Sequence, residues 1–112
     1  MIDFALIFRN VVSDVVPTPE QVQEVEESWK VWMGGLVSAG KLVSNGNRLV
    51  EPDARIVAAD GSVTEGPYAK NSEFISGYIV VHAADADEAV DLARGCPILK
   101  VGGNVEVRRV YG

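Results

Sequence analysis

The chain has 112 residues, 47% hydrophobic and 23% charged, which is one domain's worth of chain with enough apolar side chain for a single core. Its 16 acidic residues against 10 Lys and Arg leave a formal charge of −6, and no basic cluster is larger than Arg108-Arg109. Nucleic acid and anionic membrane surfaces both require a basic face to displace counterions, so neither is an expected partner. One cysteine, Cys96, and one histidine, His82, exclude an internal disulfide and leave too few ligands for a Cys- or His-based zinc site. A carboxylate-only magnesium or calcium site stays open, but no EF-hand spacing is present. The expectation is no metal and no cofactor. Met1-Ile2-Asp3-Phe4 lacks the pattern of a secretory leader, and no apolar run approaches the ~20 residues that span a bilayer. The expectation is a soluble, cytoplasmic protein.

Ile2, Phe4, Leu6 and Phe8 alternate with Asp3, Ala5, Ile7 and Arg9, the period of two that marks a strand. Asn10 to Pro17 loses the period and reads as a loop. Thr18-Pro19-Glu20-Gln21 opens a helix: the Thr18 hydroxyl caps a free N–H, Pro19 lacks the donor that would be orphaned, and Gln21 reaches back. Val22, Val25, Trp29, Trp32, Met33 and Leu36 form its apolar stripe, and Gly40 suits a left-handed terminus after Ala39. Trp29 and Trp32 are candidates to line a ligand pocket, although tryptophans on such a stripe are more often core.

Lys41 to Val50 reads as a strand interrupted by a turn or bulge at Asn45-Gly46-Asn47. Arg55 to Ala59 and Ser62 to Glu65 flank Asp60-Gly61, a pair suited to a two-residue hairpin turn. Phe74 to Ala83 is a strand with apolar residues on both faces. Asp85-Ala86-Asp87-Glu88 caps a second helix, with Glu88 reaching back, which ends at Gly95 before Pro97. Asn104 to Tyr111 is the last strand, with Val105, Val107, Arg109 and Tyr111 on one side and Asn104, Glu106, Arg108 and Val110 on the other. Strand, helix, strand, hairpin arm, strand, helix, strand makes an α+β fold of ferredoxin-like type: an antiparallel sheet with two helices on one face. The second apolar face of Phe74 to Ala83 needs a cover, and a second copy of the chain supplies one, giving a homodimer.

Asp60-Gly61, Glu65-Gly66-Pro67-Tyr68-Ala69-Lys70-Asn71-Ser72-Glu73, Gly77-Tyr78, Asp87-Glu88-Ala89, Cys96-Pro97 and Gly103-Asn104-Val105-Glu106-Val107-Arg108, in that order and spacing, resemble the YCII-related (DGPF-domain) family. The family is named for a segment reading Asp-Gly-Pro-Phe-Ala-Glu-Thr-Lys-Glu. Gly66, Pro67, Ala69 and Glu73 match it, Glu65 and Tyr68 are close substitutes, and Lys70, Asn71 and Ser72 depart from it. Where the family has lysine this chain has Ser72; in an extended segment Lys70 would point the same way and keep a cation. The resemblance covers most of residues 1–112 and implies one such domain. It also implies a dimeric α/β-barrel of ferredoxin-like subunits, with a cleft between sheet and helices or near the dimer interface. Some relatives run small-molecule steps such as dehydrochlorination of aromatic ring-cleavage intermediates, and many are fused to or encoded near sigma-factor proteins. Substrate does not transfer from the resemblance.

Glu65 and Glu73 bracket a Gly66-Pro67 segment, and two carboxyls near apolar walls can be driven to different pKa values to serve as acid and base. The plain alternative is a surface turn with two solvated acids. His82 is a candidate base, since histidine alone ordinarily titrates near neutrality, with Asp85 and Asp87 as candidates to orient it. A strand-end histidine is more often a capping or surface group. Tyr68 is a ligand-facing ring or, more commonly, a packed aromatic. Lys70 and Arg9 could steer an anionic substrate, or simply be solvated. Cys96, at a helix's negative end with no base beside it, is expected to be unreactive. Glu106 and Arg108 share a strand face and read as a structural pair. These residues frame three functions: a cofactor-free acid–base enzyme of lyase or isomerase type acting on a small acidic or aromatic metabolite, a non-catalytic ligand-binding or regulatory interaction module, or a dimeric-barrel oxygenase-like protein acting on aromatic substrates without a bound cofactor.

Overall fold

The computed structural model describes residues 1–12 and 15–111. Its order is β1 (Ile2–Val11), α1 (Pro19–Ser38), β2 (Leu42–Arg48), β3 (Arg55–Val57), β4 (Val63–Glu65), β5 (Ala69–Lys70), β6 (Glu73–Ala83), α2 (Ala86–Ala93), a 3-10 helix (Pro97–Val101) and β7 (Asn104–Arg109). The main sheet runs β2-β6-β1-β7, every neighbour antiparallel, and β5 folds back on the start of β6. This is the α+β ferredoxin-like arrangement expected from the sequence, with β3 and β4 forming a separate ribbon inserted between β2 and β6.

Alternation in β1 decides which face is covered. Phe4, Leu6 and Phe8 are buried with Ile79, Val81 and Ala83 of β6. Leu36 of α1, Ala89 and Ala93 of α2, Cys96 and Ile98 close over them. Trp29, Trp32 and Met33 pack against this core from α1, and Val105 and Val107 from β7. Burying a side chain of this size contributes roughly 1.5–3 kcal/mol, so this one layer carries most of the apolar stabilisation. Val22, at the start of the expected stripe, is 41% exposed because the first turns of α1 lie outside the core.

Local chemistry explains the helix starts. Thr18 Oγ1 accepts from Gln21 N at 3.2 Å while Gln21 Oε1 accepts from Thr18 N at 2.9 Å, the reciprocal box expected. Asp85 caps α2 by accepting from Glu88 N at 2.9 Å. The Glu88 carboxylate reaches one residue further back than expected, accepting from Ala84 N at 3.2 Å. Gly40 takes the left-handed conformation after α1.

Two turns differ from the sequence expectation. The β3–β4 connection is not a two-residue turn at Asp60-Gly61: Val57 pairs with Val63, so the loop spans 58–62. Gly61 has a positive φ but Asp60 does not, and the Asp60 carboxylate instead accepts from Ser62 N at 2.9 Å and Ser62 Oγ at 2.7 Å. Lys70 and Ser72 do not share an extended segment. Asn71 and Ser72, with φ of 54° and 63°, are the centre of a tight β5–β6 turn in which Lys70 pairs with Glu73. The 3-10 helix at Pro97–Val101 and the two-residue β5 are too short to carry a period in the sequence. Among the described residues no helix is long and apolar enough to cross a membrane.

Candidate functional site

Residues paired across antiparallel strands share a face. The face turned away from the helices therefore holds Asp3, Ala5, Ile7 and Arg9 of β1, Tyr78, Val80 and His82 of β6, and Asn104, Glu106 and Arg108 of β7. At one end of it Asp3 lies opposite His82, and Asp3 Oδ1 sits 2.5 Å from His82 Nδ1. Both side chains remain 39% exposed, so the pair is open to a ligand. Their backbones are pinned on both sides: His82 N donates to Lys41 O at 2.7 Å, and Val110 N donates to Asp3 O at 2.9 Å. Nδ1 itself is shielded from solvent, and the carboxylate meets it off the hydrogen-bond line. Such misalignment is common before a ligand tightens a catalytic pair. The carboxylate beside the ring is thus Asp3, neither Asp85, which caps α2, nor Asp87, which lies in its first turn. Sequence showed Asp3 on the polar phase of β1, but only cross-strand register sets it against His82.

Further along this face Glu106 takes Arg9 at 2.6 Å and Arg108 at 3.0 Å. Hydrogen bonds from Arg108 and then Arg9 hold its carboxyl below the usual range. Arg9 is therefore an ion-paired residue of the sheet face, and Glu106 with Arg108 form the pair expected. Asn47 Nδ2 donates to the Tyr78 hydroxyl at 3.2 Å. Between these polar groups lie Ala5, Ile7 and Val80, each half-buried.

Glu73 belongs to the opposite end of the sheet. It begins β6, is half-buried, and accepts from Asn104 Nδ2 at 3.1 Å. Residues 73 and 82 are nine apart on one strand, which at ~3.3 Å per residue separates Glu73 from His82 by roughly 30 Å. Glu65 is exposed at the end of β4, opposite Arg55, and the following Gly66 has a φ of 92° and donates its N–H to Ala54 O at 2.9 Å. Tyr68 is 71% exposed rather than packed, and Lys70 is exposed beside Glu73.

Trp29 and Trp32 meet each other and Phe8 edge to face, with centroids 5.0 to 6.0 Å apart. Trp32 Nε1 donates to Leu92 O at 3.0 Å. Trp32 also borders an open groove of about 390 Å³ with Val31, Gly95, Pro97 and Lys100. Among the described residues no group of three or more His, Cys, Asp or Glu is placed to hold a metal ion.

Compared with known families, residues 4–112 match the model of the YCII-related domain. No curated protein matches the chain.

Proposed function

This chain belongs to the YCII-related family, and from that premise we propose that it is a cytoplasmic homodimer performing cofactor-free proton transfer on a small acidic or aromatic metabolite. His82 is the base in this reading, and Asp3 is its positioning residue. The observation that carries it is the approach of Asp3 Oδ1 to within 2.5 Å of His82 Nδ1 on an uncovered sheet face. A carboxylate at Nδ1 favours the tautomer protonated there, which leaves the Nε2 lone pair free to accept a proton from substrate. A base of this kind removes a proton beside a carbonyl or assists an elimination, the chemistry of a lyase or isomerase. Arg108 lies next to this pair through its register with Ala5, with its charge shared by Glu106. Tyr68 and Lys70 are ligand contacts in this reading, and Trp29 and Trp32 the aromatic wall behind the α1 groove.

The uncovered Ala5, Ile7, Val80 and Tyr78 support the homodimer, because a sheet face meant for water alternates to polar residues. Glu73 joins His82 only if a second copy brings it there, since the two are roughly 30 Å apart within a chain. The exposure of Glu65 favours a second reading, a non-catalytic ligand-binding or interaction module.

The test is a thermal-shift panel of small carboxylates, hydroxyquinones and lactones on wild type, His82→Gln and Asp3→Asn, followed by NMR of each hit in D2O. A ligand at ~100 times its dissociation constant adds ~2.7 kcal/mol, which is several degrees for a domain of this size. Catalysis predicts exchange of a ligand C–H that drops by about 100-fold or more in His82→Gln and also falls in Asp3→Asn while binding persists. A hit bound by all three proteins with no exchange supports the binding module.

A further inference from the structure

Asn45 is the one asparagine of the chain that is followed by glycine. Three others have their side-chain amides held. Asn10 Oδ1 accepts from Val11 N at 2.9 Å, Asn47 Nδ2 donates to the Tyr78 hydroxyl at 3.2 Å, and Asn104 Nδ2 donates to Glu73 at 3.1 Å. Among the described residues nothing bonds the amides of Asn45 and Asn71. Asn45 is exposed on β2, an edge strand of the main sheet. Ser44 pairs with Val80 and Asn47 with Tyr78, so Asn45 and Gly46 fall in the irregular step between and have no partner in the register. The Gly46 N–H donates to Ser44 Oγ at 3.1 Å, a hydroxyl on an exposed side chain. The fold also needs this glycine, since its φ is 56° and a Cβ there would meet the Tyr78 carbonyl oxygen. The residue that the bulge requires is therefore the one that crowds its own nitrogen least.

We propose that Asn45 is a self-modification site, where the folded chain converts its own amide to isoaspartate and aspartate through a cyclic imide. The Gly46 backbone nitrogen gives up its proton to solvent base and attacks Asn45 Cγ. The new N–Cγ bond closes a five-membered ring as the Cγ–Nδ2 bond breaks, and Nδ2 takes up a proton and leaves as ammonia. Water then opens the ring at either carbonyl. Breaking the N–Cγ bond gives aspartate; breaking the bond to the main-chain carbonyl gives isoaspartate, with the chain running through Cγ. No oxidant or reductant is involved. The inference goes beyond the proton-transfer reading and does not rest on it.

Asp60-Gly61 has the same skeleton and a different fate. An aspartate closes this ring readily only as the neutral acid. Hydrogen bonds from Ser62 Oγ at 2.7 Å and Ser62 N at 2.9 Å hold the Asp60 carboxyl below its usual range, so it stays ionised and pinned. The Asn45 amide is neither.

The product changes the sheet edge. Both acids add a negative charge, and isoaspartate also adds a backbone atom. The flanks of β2 are tied to β6: His82 N donates to Lys41 O at 2.7 Å, and Leu49 N donates to Ser76 O at 2.9 Å. The extra atom must be absorbed at the bulge, where Gly46 meets Tyr78 and Asn47 bonds its hydroxyl.

The experiment uses the full chain, held at pH 8 in native buffer and in denaturing urea, as wild type and Asn45→Gln, with Asn45→Asp as the mobility marker. Isoelectric focusing follows the charge. Trypsin, cutting after Lys41 and Arg48, releases Leu42–Arg48, whose fragment masses locate the change and whose retention separates the two acids. The expected result is that native Asn45 converts within ~10-fold of its rate in urea, because the bulge opens at little cost in free energy. It should also convert at least ~10-fold faster than native Asn71, whose following Ser72 carries a Cβ. Asn45→Gln should keep its charge over the same interval. Conversion at Asn45 slowed beyond that margin in native buffer, or no faster than at Asn71, overturns the proposal. A native charge gain that persists undiminished in Asn45→Gln overturns it as well.

Discussion

Lys41 Nζ lies 2.9 Å from Glu88 Oε1, and the same carboxylate oxygen accepts from Ala84 N at 3.2 Å. One side chain thereby ties the root of β2 to the end of β6 and the first turn of α2. The hydrogen bond from Lys41, followed by that from Ala84 N, holds the Glu88 carboxyl below its ordinary 4.5. A carboxyl lowered in the folded state stabilises the fold above its unfolded value, and that contribution is lost as pH falls through the folded value. Glu88→Gln should therefore melt below wild type at pH 7, and the two melting curves should converge as pH drops below about 4.5. Thermal unfolding followed at 222 nm across pH 3 to 7 checks this; a gap that stays constant with pH would assign the loss to packing.

Gly46 is the residue that lets β2 stay on the sheet. It has a φ of 56°, and a Cβ built there would collide with the carbonyl oxygen of Tyr78 on β6. The obstacle is backbone, so no side-chain rotation relieves it. Gly46→Ala adds a left-handed penalty of ~1–2 kcal/mol to the strain of overpacking, ~1–3 kcal/mol. The expected loss is about 3 kcal/mol or more, a fall in melting temperature of more than ~10 °C. Gly61→Ala, in the same backbone region but with open space around it, should cost only about 1–2 kcal/mol.

The β5–β6 turn predicts a gain instead. Asparagine is among the residues that adopt a left-handed φ most readily, which suits position 71, but Ser72 at 63° pays the Cβ penalty that glycine avoids. Ser72→Gly relieves ~1–2 kcal/mol of strain and returns ~0.4–1 kcal/mol of chain entropy to the unfolded state. The net expectation is a stabilisation of roughly 0.5 kcal/mol, read as a higher urea midpoint at unchanged slope. Asn71→Gly should gain less, since asparagine already fits.

Those turns mark the boundary of what was legible in the chain. Elements with a strong period or a chemical cap were readable: the alternation of Ile2 to Arg9, the Thr18–Gln21 box, the bulge at Asn45-Gly46-Asn47 and the two faces of β7 all depend on neighbours within a few residues. Asp60-Gly61 misled because Asp60 uses its carboxylate to hold Ser62, which lengthens the loop. The Lys70–Ser72 comparison assumed extended backbone where two positive φ values reverse the chain. At the candidate site His82 could be singled out by its chemistry, but its neighbour could not. Asp3 is separated from it by 79 positions (82 minus 3), and only the β1–β6 register sets them opposite each other. Tyr68 reads as a residue to be packed, and its exposure reflects a hairpin that leaves the body of the domain.

Cys96 tests the packing behind the site. The sequence assigns its low reactivity to the negative end of α2; in the structure burial dominates, with Cys96 2% exposed and its thiol pushed up to about 11. Against an ordinary value of 9.0, two units leave roughly 100-fold less thiolate at pH 8, before any loss of access. Cys96 lies between α2 and the 3-10 helix, among the residues that cover Phe8 and Leu6. Reagent can reach it only when that corner opens, so labelling by a chromogenic disulfide at pH 8 should be at least ~100-fold slower in native buffer than in denaturing urea. Its rate at intermediate urea should rise in step with global unfolding. Fast labelling without urea would mean that the α2 corner opens well below the free energy of the whole domain. The wall that holds the back of β1 and β6, and so the spacing of Asp3 and His82 on their other face, would then be the weakest part of the fold.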